Sequence, residues 1–489
     1  MNENFRTILN RRIEESGQSP FLYLPETDKS LSFIDIKQYG ERLFNKLIEI
    51  VNSPVNCVGT LLLNGAQAAI TSLSVIMNGF TLLPINPRLT WPEICDVLEQ
   101  SDVRIIVSTR DIHLKTFFIE NGWNTVEWSI NGIDFLFLVK LESSSVCTAT
   151  VPEKYSLLLF TSGTTGKSKG VLLTEKNLLS NAGFVIDAHK LNSNDVALCV
   201  LPLYHINGLV VTLLSPLMAG MAVVMPQKFS TDSFFNLVMK YKPTWFSAVP
   251  AIFSKLLSYP SSSDQTLNCL RFARSASAPM PEELYYEFEK RFGVPLIEAY
   301  GITEAACQVC SNPVPPGKRK PGSAGIPFGN KVKIVDGEVY VKGPNVFEEY
   351  LNRSLETSET LENGWLKTGD LGYIDSDGYL YLTGRKKELI NRGGEKFSPR
   401  EIEEVLHQLP EVEETGVVGI PDPVFNEEVA AFIVLRPGAS LSKEQVQTFC
   451  RSRMAIFKVP VEVIFLDSLP KGPSGKIQRR FLRENYMKK

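Results

Sequence analysis

A short apolar run, Tyr155-Ser156-Leu157-Leu158-Leu159-Phe160, leads directly into Thr161-Ser162-Gly163-Thr164-Thr165-Gly166-Lys167-Ser168-Lys169-Gly170-Val171. The run is long enough for one buried strand. The eleven residues after it hold three glycines, five hydroxyl side chains and two lysines. Glycine permits a tight turn and close approach of backbone to a ligand. Hydroxyls and exposed backbone N–H groups donate to phosphate oxygens, and lysines add positive charge. A strand that empties into such a loop is expected to handle a triphosphate. The Gly-x4-Gly-Lys-Ser/Thr phosphate loop is excluded by spacing: Gly166-Lys167-Ser168 supplies its second half, but position 161 is Thr. The other alternative is a solvated surface turn, which rarely needs this many hydroxyls and glycines beside two lysines.

The bulk numbers narrow the remaining classes. The chain has 489 residues, 44% hydrophobic and 21% charged, enough for more than one ordinary globular domain. A net charge of −3 implies no broad basic surface for nucleic acid. Of eight cysteines, only Cys307 and Cys310 form a C-x-x-C, with no second pair and no histidine near them. Zinc is therefore not expected, and reduced thiols suit the cytoplasm. The opening stretch Met1–Glu15 is charged and helical in pattern, without a signal-peptide core. No apolar run is long enough for a membrane span, and the chain ends Tyr486-Met487-Lys488-Lys489 rather than Ser-Lys-Leu.

Strand and helix patterns alternate before the loop. Val58–Leu63 reads as a strand running into Asn64-Gly65, Ala66–Met77 as a helix, Thr81–Pro84 as a strand, Trp91–Gln100 as an amphipathic helix and Val103–Ser108 as a strand. This predicts an α/β layer with a mostly parallel sheet. After the loop, Val196–Leu201 leads to Pro202-Leu203-Tyr204-His205-Ile206-Asn207-Gly208. A lone histidine is usually structural, but functional groups favour loops on rigid scaffolds, and His205 sits in one. Leu209–Ala219 reads as an apolar core helix. Strands over Thr244–Pro250 and Arg271–Pro279 end in small residues, Ser275-Ala276-Ser277-Ala278 among them. Such residues let a flat ring lie on the backbone, or simply mark a strand-to-turn transition. In Glu298-Ala299-Tyr300-Gly301-Ile302-Thr303-Glu304, the tyrosine suits stacking on a base, the threonine a phosphate, and Glu304 a hard cation such as Mg²⁺. Candidate strand ends of this kind are where open α/β sheets bind ligands. Val332–Val341 alternates like antiparallel strands, and the last hundred or so residues read as a small α+β domain.

The loop Thr161–Val171 resembles the signature of the adenylate-forming, AMP-binding superfamily of acyl-CoA synthetases, carrier-loading adenylation domains and luciferase-like enzymes. Members usually carry proline where this chain has Ser168. Further motifs follow in that family's order: PLYHING resembles its PxxHxxG, YGITE its YGxTE, Thr368-Gly369-Asp370 its TGD, GRKKELI its hinge, and PKGPSGK its PKxxSGK. The resemblance implies a large N-terminal domain, 1–386, of parallel-rich sheets with helices plus a small β subdomain. It implies a mobile α+β C-terminal domain, 387–489, pivoting at Lys387. Carried over residue by residue, Thr161, Ser162, Gly163, Thr164, Thr165, Gly166, Lys167 and Lys169 hold ATP phosphates. Ser275 and Ala276 flank adenine together with Glu298, Ala299 and Tyr300. Asp370 takes the ribose hydroxyls, Arg385 the ribose or phosphate, and Thr165 and Glu304 the metal. His205, Thr303, Glu304 and Lys476 are the expected catalytic set. Gly393 and Gly394 border the path of CoA's pantetheine.

The resemblance thus implies an ATP-dependent acid–CoA ligase that forms an acyl adenylate, releases pyrophosphate, then makes a thioester and releases AMP. A carrier-loading enzyme is the alternative. The acid is expected near His205, Ser275, Gly301 and Cys307. The C-terminal two-thirds most resembles oxalate–CoA ligases, but those carry YAMTE where this chain has Gly301, and a histidine where it has Cys307. That histidine is expected to help bind oxalate's second carboxylate, and cysteine is a weak donor. A different acid with an apolar chain is therefore expected, with oxalate or another small dicarboxylate as the alternative.

Overall fold

The computed structural model describes residues 3–51, 55–101, 103–140, 151–161, 168–259, 267–471 and 477–487. The strands Cys57–Leu61, Thr81–Pro84 and Ile105–Ser108 are buried along their whole length. They pair in parallel, joined by the helices Ala66–Met77 and Trp91–Ser101. Burial on both faces is what a parallel strand between helical layers requires. Leu157–Thr161 extends this parallel centre beside Thr81–Pro84.

Antiparallel strands close both edges of this eight-stranded sheet. On one side Ile133–Lys140 pairs with Ile105–Ser108 and with Trp123–Ile130. The turn of that hairpin is Asn131-Gly132, both at positive φ, the Asn-Gly pair that two-residue hairpin loops favour. On the other side Lys169–Leu173 runs antiparallel to Leu157–Thr161 and carries Glu349–Tyr350. Thr161 and Lys169, at the two ends of the glycine-rich run, are cross-strand partners.

A nine-stranded sheet carries the rest of the large domain. Its parallel centre runs through Leu296–Ile302, Phe272–Ser275, Trp245–Ala248, Val196–Leu198, Ala222–Val224 and Pro20–Leu24. Cys307–Ser311 and Lys29–Ser32 are antiparallel towards its edges. One continuous apolar cluster, with Leu73, Leu173, Leu213 and Trp245 among its members, joins the two sheets and the helices between them.

The segment expected as a core helix over 209–219 departs from regular α-helix. Asn207–Leu214 is a π-helix, followed by an α-helix over Ser215–Ala219. The Thr212 and Ser215 hydroxyls donate to the carbonyls of Gly208 (2.7 Å) and Val210 (2.8 Å). A side chain at Gly208 would lie 2.1 Å from the Pro202 carbonyl oxygen. Wide helical turns of this kind are frequent at functional sites.

A small antiparallel sheet follows, built from Lys331–Val335, Glu338–Lys342, Trp365–Ile374, Leu361–Glu362 and Leu380–Arg385. The C-terminal unit has its own core, including Ile402, Val417, Val429 and Ile433. Its centre is the ladder Val412–Asp422 with Asn426–Leu435, and Glu462–Phe465 lies parallel to the latter. The helix Pro399–Leu406 starts on a capping box of Ser398 and Glu401 with proline at its first position.

Asn64 ties the strand ends of the two large sheets together. Its amide donates to the Leu201 carbonyl (2.9 Å) and its oxygen accepts from the Leu203 N–H (2.8 Å). Asn64→Ala leaves both buried backbone groups without these partners, and each such loss costs about 1–3 kcal/mol. A lower denaturation midpoint is expected, with activity falling further than the stability loss because the His205 loop is released. An unchanged midpoint would show that the loop is held by other contacts.

Candidate active site

Three residues that the sequence scatters over 85 positions meet at one carboxylate. The Tyr300 hydroxyl donates to Asp370 Oδ2 (2.5 Å), and Arg385 Nε pairs with Asp370 Oδ1 (2.7 Å). Asp370 and Arg385 face each other across the strands Trp365–Ile374 and Leu380–Arg385. Thr368 Oγ1 accepts from the Asp370 N–H (3.1 Å) and donates to the Val339 carbonyl (2.7 Å). Burial, and then the adjacent carboxylate, push the Tyr300 phenol far above its ordinary range, so it serves only as a neutral donor. The Asp370 charge raises Arg385, which stays a cation. The result is a polar cradle with oxygen acceptors on one side and a fixed positive charge on the other.

Glu304 sits just beyond, in the 3₁₀ turn Thr303–Ala305 at the end of Leu296–Ile302. Its Oε1 accepts from the Tyr350 hydroxyl (3.0 Å), and its carbonyl accepts from the Phe347 N–H (2.8 Å). Lys169 Nζ lies 5.1 Å from the centre of the Tyr350 ring. Tyr350 pairs with Val171, so one aromatic side chain couples the exit of the glycine-rich loop to Glu304. Thr161 and Lys169 are cross-strand partners, and the Thr161 hydroxyl donates to the Lys169 carbonyl (3.4 Å). Ser162, Gly163, Thr164, Thr165, Gly166 and Lys167 lie outside the described residues, and so does Lys476. Lys471 and Ile477, which flank the latter, form an antiparallel bridge. Among the described residues no group of three or more His, Cys, Asp or Glu could hold a metal. A divalent cation at Glu304 would need oxygens from a bound nucleotide and water, which is how Mg²⁺ is usually held.

Asn207, two residues after the expected acid ligand His205, ties that loop to its neighbours. His205 is half-buried in the loop before the π-helix, its ring 4.9 Å from that of Tyr204. The Asn207 amide donates to Ser277 Oγ (3.1 Å), and its oxygen accepts from Arg274 Nη1 (3.2 Å) and Ser247 Oγ (3.3 Å). The loop is thereby bonded to two neighbouring strands. Gly301 and Cys307 face each other closely. A Cβ on Gly301 would lie 1.6 Å from the Cys307 carbonyl oxygen, and Cys307 itself has φ +113°. Glycine in YGITE is thus required by a bulged antiparallel pairing, which is the physical reason alanine does not stand there. Burial raises the Cys307 thiol to about 11, with Arg274 opposing the shift, so it stays uncharged.

Two expected nucleotide contacts have side chains engaged elsewhere. The Ser275 hydroxyl lies against Met280 Sδ (3.6 Å), and the buried Glu298 carboxyl accepts from the Gly322 N–H (2.7 Å). Ala276 is buried, with its N–H donating to the Ala248 carbonyl (3.0 Å), and Ala299 lies in the strand between Glu298 and Tyr300. Lys387 lies in the turn Lys386–Glu388 that leads into the C-terminal unit. Gly393 and Gly394, at φ +60° and +95°, form the tip of the hairpin Ile390–Arg392 with Glu395–Phe397, where the Gly393 N–H donates to Phe425 O (2.7 Å). No hydrogen bond or ion pair among the described residues joins that tip to Tyr300, Asp370 or Glu304. A cleft of about 510 Å³, lined by Gly372, Tyr373, Lys386, Asn391 and Lys396, separates the hairpin from the small antiparallel sheet. Sequence reasoning misses Tyr350 and Arg274. Tyr350 sits in a two-residue strand too short to show a period, and Arg274 reads as one more polar residue in an alternating strand.

Comparison with known proteins follows this geometry. The AMP-binding enzyme family matches residues 9–351, and the AMP-binding enzyme C-terminal domain matches 401–476. Sulfoacetate–CoA ligase of Cupriavidus necator is 37% identical over 98% of this chain and 97% of its own. Oxalate–CoA ligase of Arabidopsis thaliana is 37% identical over 92% of each. The structure of ATP-bound MatB from Rhodopseudomonas palustris superposes with a TM-score of 0.87 at 28% identity, covering 99% of both chains.

Burial lifts Glu298 from the ordinary 4.5 to about 8, the Gly322 N–H opposing part of the rise. The unfolded chain gives up this proton near 4.5, whereas the folded chain keeps it to about 8. The folded state therefore binds more protons in that window, and this group's contribution to stability falls as pH rises through it. Glu298→Gln stays neutral throughout and still accepts from Gly322. Its denaturation midpoint is expected to decline less than that of the wild type from about pH 5 to about pH 8. Parallel profiles would mean that Glu298 ionises normally.

Proposed function

This chain belongs to the AMP-binding enzyme family and is an AMP-forming acid–CoA ligase, and we propose that it holds its nucleotide at the Tyr300–Asp370–Arg385 cluster. The observation that carries the assignment of the site is the meeting of Tyr300, Asp370 and Arg385, from two different sheets, beside Thr303 and Glu304. A carboxylate accepts from both hydroxyls of a ribose, and a neighbouring guanidinium suits its phosphate.

The chemistry follows from charge. A carboxylate is a poor electrophile, so one of its oxygens attacks the α-phosphorus of ATP and the bond to pyrophosphate breaks. Thr303 donates to the α-phosphate. Lys476 and the loop 161–169 meet the negative charge that develops there, which is the largest kind of contribution a preorganised site makes. Glu304 and Thr165 would hold Mg²⁺, which would supply positive charge against the phosphates. His205 orients the reacting carboxylate. In the second half-reaction the thiol of CoA attacks the acyl carbon, its proton is lost, and AMP leaves. The domain 387–489 turns about Lys387 relative to 1–386, withdrawing Lys476 and bringing Gly393 and Gly394 to the pantetheine. Free CoA is the acceptor in this reading rather than a carrier protein. Cys57, Cys199, Cys307, Cys310 and Cys450 are buried thiols outside any disulfide, which suits the cytoplasm.

Lys476→Ala is expected to lose roughly 10²–10³ in the rate of adenylation, measured as pyrophosphate release, while still converting supplied acyl adenylate and CoA to thioester. Normal adenylation by that variant would remove Lys476 from the mechanism. Lys387→Pro is expected to spare adenylation and depress thioester formation; equal losses in both half-reactions would count against the pivot. Pyrophosphate release that stays at a single burst with free CoA present would point to a carrier protein.

A further inference from the structure

Next to Cys307 a cation is buried without an anion among the described residues. Arg274, on the strand Phe272–Ser275, is 1% exposed. Its Nη1 donates to Ser247 Oγ (2.9 Å) and Asn207 Oδ1 (3.2 Å), and its Nη2 to Gln308 Oε1 (3.2 Å). Its Nε is buried with no acceptor. Burial pulls Arg274 below its ordinary range, and what opposes the shift is the neighbouring Cys307 side chain, an uncharged thiol, rather than a carboxylate. Among the described residues Arg274 makes no ion pair.

Other arginines of the fold have counter-ions. Arg271, three residues earlier, pairs with Asp195, Arg385 with Asp370, Arg392 with Glu428 and Arg479 with Glu403. Removing a guanidinium from water costs several kcal/mol when no anion compensates. Three neutral acceptors orient the fork without neutralising it. Two of those supports, Asn207 and Gln308, belong to the segments that also carry His205 and Cys307. The unmatched charge therefore lies against Cys307 and is bonded to Asn207, two residues after His205, both expected near the acid, and a planar fork suits two oxygens of one group.

We infer that Arg274 receives a second anionic group on the acid substrate, a carboxylate or a sulfonate carried a short chain away from the reacting carboxylate. The inference rests on the ligase reading and deepens it. It replaces the apolar-chain expectation drawn from Cys307: the thiol is uncharged, but the adjacent strand supplies the cation. Binding the distal group leaves the reacting carboxylate free to attack phosphorus, and the bound anion cancels the buried charge.

The test uses the full-length enzyme with ATP, Mg²⁺ and CoA. Pyrophosphate release is measured with oxalate, malonate, succinate and sulfoacetate, each against a monocarboxylate of matched length. For at least one doubly anionic acid, kcat/KM is expected to exceed that of its match by roughly 10²-fold, the scale on which a buried charge pair discriminates. Arg274→Met is expected to collapse this ratio mainly through KM, and Arg274→Lys to restore part of it. Carboxylate and sulfonate arms separate the two sources of the anion. A wild-type preference for monocarboxylates, with good turnover, overturns the inference and leaves the ligase reading intact. So does a folded Arg274→Met that loses equally on both classes, which would make Arg274 a cross-link between segments. Release with no acid at all removes both readings. The wild-type comparison decides the matter even if Arg274→Met does not fold.

Discussion

The site depends on the carboxylate of Asp370, which holds Tyr300 from the large sheet and Arg385 from the small one. The pairing crosses a boundary between separately built layers. The small sheet supplies the carboxylate and the cation, and the large sheet supplies the phenol that fixes the second carboxylate oxygen. Burial makes the geometry firm: a buried carboxylate is tolerated only when paired and hydrogen-bonded, and Asp370 has a phenol, a guanidinium and the Thr368-bonded backbone turn around it. Tyr350 repeats the strategy one step away. Its hydroxyl is on Glu304 and its ring beside Lys169, so a single side chain sets the distance between Lys169 and the candidate metal ligand.

Close backbone approach is the second constraint. Gly301 and Gly208 each lie against a carbonyl oxygen that would collide with a side chain. One glycine lets Cys307 pair with the strand that carries Tyr300; the other lets a π-helix begin at Asn207. Asn207 and Gln308 then orient Arg274 from opposite sides. The expected acid site is thus shaped by where backbone fits, and beside it one buried arginine has no carboxylate among the described residues.

Much of the fold is legible in the chain. The helix Ala66–Met77 and the strand Thr81–Pro84 fall where the pattern puts them, because continuous apolar runs and amphipathic periods report local burial. The hairpin Trp123–Lys140 carries its signal in Asn131-Gly132. The π-helix has no such signal: Leu209–Ala219 is uniformly apolar, and an apolar period does not distinguish one helical pitch from another.

The sequence alone determines the reaction class, because the family's short motifs stand in it in order, from the glycine-rich run to PKGPSGK. It also marks the segments expected to carry the chemistry, from Thr161 to Lys476. Only the tertiary structure decides which of those residues touch. It turns the side chains of Ser275 and Glu298 elsewhere, brings in Tyr350, and leaves Arg274 buried without an anion among the described residues. The reason is physical: a charge's environment is fixed by neighbours far away in the chain, and no local pattern records whether a distant carboxylate has been placed beside an arginine.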